Sequence, residues 1–326
     1  MSQQLQQIVE QQRIRLSKRL REPLSGLAQA SANVWHDPYR LEAVLSSGII
    51  DIHKCRSVFL LDTRAVQYTN FITPAGSTGE GAGRDCALMP FMRRAVPGAD
   101  FILSDAYVSA RGQRPSLTAV QLVRDAGKNV LGFLCADFDL RELKLTGPVY
   151  QESMLWRQLK GDPAIRGLLF QQCRVESPVD QNIDSVLAVI EALLADRGVF
   201  HIELHFSTGR ATIWLRDEPR RYRLLDVEDL IDPDICLTYP LRSYPADAVI
   251  PVDRIGAVLA GFRDLRFADE NIYLRYASIN IYNGLVSLHF SCDGSHYMQW
   301  DEFLEKNLLF WIGGPIPNAI PQAATG

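Results

Sequence analysis

Five side chains between residues 84 and 137 have the types and spacing of a small-molecule site. They are Arg84, Phe91, Asp105, Tyr107 and Asp137. A guanidinium such as that of Arg84 can donate a forked pair of hydrogen bonds to a carboxylate or a phosphate. The two aspartates can accept from an ammonium or hydroxyl group, and the two rings can supply apolar or cation–π walls. Ligand pockets are mostly apolar with a few placed polar groups, so this set predicts a ligand-binding site.

Three of these residues also have a purely structural interpretation. Asp85, beside Arg84, is placed to cap a helix, and Arg84 itself can pair with an acidic neighbour on the surface. Asp137 stands at a strand end and can cap the following helix, although Asp139 is better placed to do so. Tyr107 also fits an ordinary aromatic position in a sheet.

The elements that must position these residues are predicted from hydrophobic periodicity. Apolar residues at helical spacing indicate one long helix over residues 4–34, which Pro23 should bend or split, and a short helix over Leu41–Ile50. A helix is expected from Asp85 to Arg94. Five strands are predicted, at Val58–Leu61, Val66–Ile72, Phe101–Leu103, Ser116–Val123 and Val130–Asp137. Together they predict an α+β unit with a five-stranded antiparallel sheet.

Four segments in this region occur in a recognisable order. They are the stretches from Gly83 to Ala95, from Ile102 to Ser109, from Leu117 to Val120 and from Gly132 to Leu140. They contain Arg84-Asp85 followed by Phe91, then a Ser-x-x-Tyr strand ending at Tyr107, then a glycine-led strand ending at Asp137. This ordered set resembles the PDC/Cache branch of the PAS-like sensor domains.

The resemblance implies a small-ligand sensor rather than an enzyme, with a long helix preceding the sheet. It places Asp137 where family members commonly hold a ligand amine, and Tyr107 at the pocket edge. Amino-acid-binding members carry an Arg-x-Trp-Tyr arrangement on the pocket helix, which this sequence lacks. The resemblance therefore implies a small polar metabolite without specifying an amino acid.

The remainder of the chain is predicted to form a connector and a second domain. The expected boundaries are a sensor domain at 1–150, a connector at 151–183 and an α+β domain of unassigned function at 184–326. The second domain should contain a helix at Val186–Leu194, a hairpin at Phe200–Leu215, a strand at Ile235–Tyr239, and a hairpin turning at Asn283-Gly284.

Composition excludes several classes of partner. The 326 residues carry a net charge of −4, and no basic block of the kind that nucleic-acid binders show is present. No apolar run is long enough to predict a transmembrane helix, and no signal peptide is visible. Six scattered cysteines without a CxxC pair favour a reduced, cytoplasmic protein. No cofactor is expected, because the loop Gly76–Gly83 lacks the Gly-Lys-Ser/Thr ending of a P-loop and is better explained as a lid.

Three functions remain open. The first is a sensor that relays ligand binding to a protein partner, with the long helix serving as a homodimer seam or packing on its own sheet. The second is a hydrolase or transferase that uses His289, His296 or Cys292 near a carboxylate. The third is an interaction protein with a vestigial pocket.

Overall fold

The computed structural model describes residues 3–93, 99–143, 173–292, 294–306 and 310–311. They form two compact units. The first comprises Met1–Glu152, Asp196–Gly198 and Glu228–Ser243, and the second comprises Ser153–Ala195, Val199–Val227 and Tyr244–Gly326. Helices and two antiparallel sheets make up these units, so the predicted α+β class is confirmed.

Two helices open the first unit. Helix α1 spans Gln3–Ala32 without interruption, so of the two predicted effects of Pro23, a bend or a split, the split does not occur. Helix α2 spans Pro38–Gly48 and begins at an N-cap, Asp37, whose carboxylate accepts a hydrogen bond from the Arg40 amide at 3.2 Å. Proline at the first helical position lacks only an amide that would have no helical partner, so it fits this start.

The first sheet has seven strands rather than the predicted five. They are β1 Ser57–Asp62, β2 Ile72–Thr73, β3 Gly76–Ser77, β4 Phe101–Leu103, β5 Tyr107–Ser109, β6 Arg114–Arg124 and β7 Val130–Asp139. Their order is β3-β2-β1-β7-β6-β4, with β5 also paired to β6. The short strands β3 and β5 are the two that periodicity did not predict, because two or three residues are too few to show alternation.

The segment between β1 and β4 differs most from prediction. The strand predicted at Val66–Ile72 is reduced to Ile72–Thr73. The helix predicted from Asp85 to Arg94 is instead a loop with one 3-10 turn at Pro90–Met92, and residues 94–98 lie outside the described ranges. Proline forces the preceding residue into extended backbone, and Met89 has φ −66° and ψ 145°. Asp85 caps only a local turn, by accepting from the Ala87 amide at 2.9 Å.

Both faces of this sheet are covered. One face packs against α1 and α2, whose apolar stripe, including Leu16, Leu20 and Leu24, is buried in the larger core. The long helix thus packs on its own sheet, which is one of the two arrangements that the sequence left open. The other face carries a second core beneath the loop that joins β1 to β4, around Phe59 and Cys135. Strand side chains alternate between these two faces, so the register decides which residues reach the loop side.

The second unit is built on a six-stranded sheet, in the order β10-β9-β8-β11-β12-β13. Its strands are β8 Val199–His205, β9 Arg210–Leu215, β10 Tyr222–Asp226, β11 Leu274–Asn280, β12 Leu285–Phe290 and β13 Ser295–Gln299. Its helices are α3 Pro178–Gln181, α4 Ile183–Asp196, α6 Ile255–Phe267 and α7 Trp300–Glu305. Of α5 Val227–Ile231, only Val227 is assigned to this unit. Gly284, with φ +72°, makes the predicted turn between β11 and β12 possible.

The strand predicted at Ile235–Tyr239 is wrong. Residues Pro233–Thr238 form a 3-10 turn, begun by Asp232, which accepts from the Asp234 amide at 3.0 Å. This turn belongs to the first unit, since Leu237 is buried in the larger core there. The first unit therefore includes residues 228–243, which the sequence assigned to the second domain.

The predicted connector at 151–183 falls mainly on residues outside the described ranges. Its described end, from residue 173 onward, belongs to the second unit, where Asp180 forms a buried ion pair with Arg266 of α6. No helix in the described ranges combines the length and hydropathy needed to cross a membrane.

Candidate functional site

Three side chains on the loop side of the first sheet form a hydrogen-bonded chain. The register pairs Thr118 of β6 directly with Asp137 of β7, and it pairs Tyr107 of β5 with Ser116. The Thr118 hydroxyl donates to Asp137 Oδ1 at 2.7 Å, and the Tyr107 hydroxyl lies 2.7 Å from Thr118 Oγ1. A threonine hydroxyl has one hydrogen, so Tyr107 must donate to Thr118 whenever Thr118 donates to Asp137.

Burial controls the chemistry of this chain. Asp137 and Tyr107 are half-buried, and Thr118 is fully buried. Burial disfavours the charged carboxylate and raises the pKa of Asp137 to about 6, although the Thr118 hydrogen bond and nearby arginines act in the opposite direction. Burial also raises the pKa of the Tyr107 phenol well above its usual range. Tyr107 is therefore a neutral donor, while Asp137 titrates near neutral pH.

Three guanidinium groups lie near the Asp137 carboxylate. Arg111, Arg56 and Arg84 each lower the pKa of Asp137 electrostatically. In the described part of the chain none of the three forms an ion pair with Asp137. We call these six residues, Asp137, Thr118, Tyr107, Arg56, Arg84 and Arg111, the Asp137 cluster.

Each arginine of the Asp137 cluster is held by a different neighbour. The Arg111 guanidinium lies over the Phe71 ring, 4.4 Å from its centroid. Arg84 is exposed and its Nη2 lies 3.6 Å from the Met89 sulfur. A thioether is a weak acceptor and a ring face binds one side of a guanidinium, so both groups keep donors for a ligand anion.

Arg56 is the most neutralised of the three. Its Nη1 lies 3.5 Å from an Asp139 oxygen, and Arg114 lies 3.3 Å from the same oxygen. Asp139 is 1% exposed and also accepts from the Arg141 amide at 2.9 Å. Arg56 and Arg114 therefore pair with Asp139 at the end of β7, and Asp137 has no ion-pair partner among them.

Phe91 packs in the second core beside Tyr107 of the cluster. It is 5% exposed, and its ring centroid lies 6.0 Å from that of Phe59 and 6.2 Å from that of Tyr107. Such ring pairs contribute packing energy and fix ring orientation. The structure thus places Phe91 in the second core, where it positions Tyr107.

Asp105 is not brought to the cluster. Its side chain is exposed and lies 3.6 Å from Arg13 of α1, on the helix side of the sheet. Asp105 falls between β4 and β5, so the side-chain alternation of a strand does not connect it with Tyr107. The structure therefore removes Asp105 from the predicted group of site residues.

Thr118, Arg56 and Arg111 were missed by the sequence prediction. A signal existed for Thr118, because it is the polar member of the apolar strand run Leu117-Thr-Ala-Val. Arg56 precedes β1 and Arg111 lies in the β5–β6 turn. Only the strand register brings these two close to residue 137, so no local pattern indicates them.

The residues of the enzymatic alternative are not gathered in one place. His289 pairs with Ser295 across β12 and β13, whereas His296 pairs with Leu288, so the two imidazoles lie on opposite faces of the sheet. Cys292 is exposed in the intervening turn. In the first unit, burial raises the pKa of the Cys86 and Cys135 thiols, which keeps both protonated.

No group of three or more His, Cys, Asp or Glu side chains within the described ranges has the geometry to hold a metal ion.

Comparison with known proteins gives structural neighbours only. No protein-family model matches the sequence, and no curated protein matches it. An extracellular ligand-binding receptor from Desulfohalobium retbaense aligns with a TM-score of 0.35 and 14% identity, over 43% of this chain and 26% of that one. The ligand-binding domain of the Pseudomonas fluorescens chemoreceptor CtaA in complex with L-isoleucine aligns with a TM-score of 0.32 and 17% identity, over 42% and 53% of the two chains.

A third neighbour is the ligand-binding domain of the Pseudomonas aeruginosa amino acid chemoreceptor PctB in complex with L-Gln. It has a TM-score of 0.32 and 18% identity, over 43% of this chain and 56% of that one. The aligned region spans between about a quarter and about half of these neighbours' chains. At TM-scores this low, the likeness carries no argument.

Proposed function

We propose that this chain is a small-ligand sensor whose binding site is the Asp137 cluster. The observation that carries the proposal is a half-buried carboxylate with its pKa raised to about 6, held by a hydroxyl chain and left without an ion-pair partner. Burial of an unpaired charge costs stability, and perturbed groups of this kind concentrate at functional sites.

The cluster favours a ligand that carries both signs of charge. An ammonium group would pair with Asp137, while a carboxylate or phosphate would accept from Arg84 and Arg111. Three guanidinium groups lie near one carboxylate, so the anionic part of the ligand contributes most of the charge complementarity. We therefore propose a small zwitterionic or anionic metabolite.

Relay to a protein partner and action in the cytoplasm complete the proposal. The cysteines are free thiols, which supports a reducing compartment. A homodimer through α1 would use its outer side, since Leu20 and Leu24 on the inner side are buried in the core. A catalytic role for the second unit has less support, because His289 and His296 lie on opposite faces.

A thermal-shift screen tests the proposal. The purified protein would be heated with amino acids, carboxylates, amines, purines and sugars. A ligand at about 100 times its dissociation constant stabilises the folded state by about 2.7 kcal/mol. We expect at least one charged compound to raise the melting temperature of the wild type and to lose its effect with Asp137→Asn and Arg84→Gln.

Matched controls are available on the same unit. Asp100→Asn and Arg64→Gln change exposed residues of the same types that pair with Arg124 and Asp62 respectively. Both controls should keep the full thermal shift. A screen without any charged hit, or a hit that survives both cluster variants, would overturn the proposal and favour an interaction protein with a vestigial pocket.

A further inference from the structure

The second sheet has one buried face and one face lined with polar groups and rings. Residues on the buried face, such as Ile202, Ile279 and Leu288, are at most 2% exposed. Alternation places His201, Glu203 and His205 of β8 on the opposite face. The strand register extends these three positions into three rows that cross the sheet.

The middle row has hydroxyl residues on both sides of Glu203 and ends at Leu224 on β10. Glu203 pairs with Thr212 on one side and with Ser278 on the other, and Ser278 pairs in turn with Ser287. These three hydroxyl residues are between 3% and 7% exposed because larger side chains flank them. Tyr297, opposite Ser287, closes the row and is 62% exposed.

Each outer row carries rings over three neighbouring strands, β10 to β8 in one row and β8 to β12 in the other. On one side, His201 stacks on Trp214 with ring centroids 4.7 Å apart, and Tyr222 follows at 6.2 Å from Trp214. On the other side, the Tyr276 ring lies 4.7 Å from that of His205 and 4.9 Å from that of His289. Side chains two residues apart on a strand are separated by about 7 Å, so the two outer rows lie about 13 Å apart on either side of the middle row.

Hydrogen bonds hold the histidine and glutamate side chains on this face of the sheet. His201 Nε2 lies 3.4 Å from a Glu203 oxygen, and its Nδ1 lies 3.0 Å from the Ile279 carbonyl oxygen. In the other outer row, His289 Nδ1 lies 2.7 Å from the Ser295 hydroxyl. The hydrogen bond from His201 lowers the pKa of Glu203, so this carboxylate remains an ionised acceptor at neutral pH.

The charge of the three rows excludes an anionic ligand. Glu203 lies at the centre, while Arg210 and Asp226 are paired opposite each other at one end of an outer row. Hydroxyl groups and imidazole rings supply hydrogen-bonding groups, and the ring faces supply flat apolar surface. A ligand that matches both sets has C–H faces for stacking and many hydroxyl groups.

We propose that this face of the second sheet, from Tyr222 to Tyr297, binds a neutral carbohydrate. Trp214 and Tyr276 stack against the sugar rings, and Glu203 accepts from sugar hydroxyls. The site is separate from the Asp137 cluster and uses none of its residues.

Saturation-transfer NMR on the full chain tests this site. The probes are glucose, galactose, mannose, N-acetylglucosamine, maltose and cellobiose, with adenosine as a stacking ligand that is not a sugar. We expect saturation of C–H protons in at least one saccharide. Trp214→Ala and Glu203→Gln should each weaken that binding about tenfold or more, whereas Trp214→Phe should retain most of it.

Two variants separate this site from other surfaces. Asp137→Asn disables the cluster of the first unit, and Tyr39→Ala removes a ring that is 91% exposed on α2. Saccharide binding should survive both. Transfer to no saccharide, transfer to adenosine alone, or saccharide transfer that persists in both Trp214→Ala and Glu203→Gln would overturn the proposal.

Discussion

The charged form of Asp137 is needed for the proposed ligand binding but lowers the free energy of unfolding. The unfolded chain gives an aspartate a pKa near 3.9, whereas the folded protein raises that of Asp137 to about 6. Between these values the folded state binds more protons than the unfolded state. The free energy of unfolding therefore falls as pH rises through this window, and the full cost is present above pH 6.

Asp137→Asn should make the protein more stable at pH 8. The amide keeps an acceptor for Thr118 and removes the buried charge, so we expect a gain of roughly 1–3 kcal/mol at pH 8 and little change at pH 4. Denaturant unfolding of both proteins at the two pH values measures the difference. Equal or lower stability of the variant at pH 8 would contradict the burial of an unpaired carboxylate.

Thr118→Val should weaken both ligand binding and stability. Valine has the same shape but leaves Asp137 and Tyr107 without their shared partner, at a cost of about 1–3 kcal/mol in unfolding free energy. The control is Thr238→Val, because Thr238 is also buried but its hydroxyl donates to the Ile235 carbonyl in its own turn. If Thr238→Val also lowers the affinity for the ligand, the loss caused by Thr118→Val does not depend on its hydrogen bonds to Asp137 and Tyr107.

At the residue scale, the sequence predicted those cluster residues that can be recognised from their position within one strand. Asp137 and Tyr107 stand at recognisable strand positions and lie in the cluster. Thr118, Arg56 and Arg111 join them through pairing between strands that are distant along the chain. Asp105 lies outside the cluster, because it falls between β4 and β5 and its carboxylate lies beside Arg13 of α1.

At the element scale, long periodic segments were predicted well and short proline-containing ones were not. Helix α1 and strands β6 and β7 have enough residues for their periods to be read. The expected helix at 85–94 failed because Pro90 keeps Met89 extended. The expected strand at 235–239 failed because Asp232-Pro233 starts a 3-10 turn.

Helices α3 and α6 of the second unit are joined by one buried ion pair. Arg266 donates to both Asp180 oxygens at 2.7 Å, and neither side chain is exposed. Burial raises the pKa of Asp180, but the Arg266 and Ser177 hydrogen bonds outweigh this effect and lower it overall. Asp180 therefore contributes stability above pH 4, which is lost as pH falls through its depressed folded-state value.

Asp180→Asn should destabilise the second unit at pH 7 by about 3–5 kcal/mol, because it leaves the Arg266 charge buried and unpaired. It should also flatten the loss of stability in acid. Asp184→Asn is the control, since Asp184 is 65% exposed and its pair with Arg263 should contribute little. Urea unfolding from pH 7 to pH 3 compares the three proteins. An unchanged acid dependence in Asp180→Asn would contradict the assigned linkage.

At the scale of the whole molecule, each unit has its own sheet and its own candidate binding site, the Asp137 cluster in the first unit and the polar sheet face in the second. The sequence predicted two α+β regions but assigned residues 228–243 to the wrong one. This segment joins the first unit through Leu237 in the core and an Arg13–Asp234 ion pair of 3.3 Å. Contacts across more than 200 residues leave no local signal, so composition and periodicity do not locate such a boundary.

The most direct test of the central claim is to observe ligand contact at the Asp137 cluster by NMR. Uniformly ¹³C-labelled protein would be titrated with amino acids, carboxylates and amines while the aspartate carboxyl and threonine signals are followed. We predict that a binding compound shifts the Asp137 and Thr118 signals first, and that an ammonium-bearing compound lowers the pKa of Asp137 from about 6. Shifts confined to other regions, or none with any compound, would contradict the sensor site.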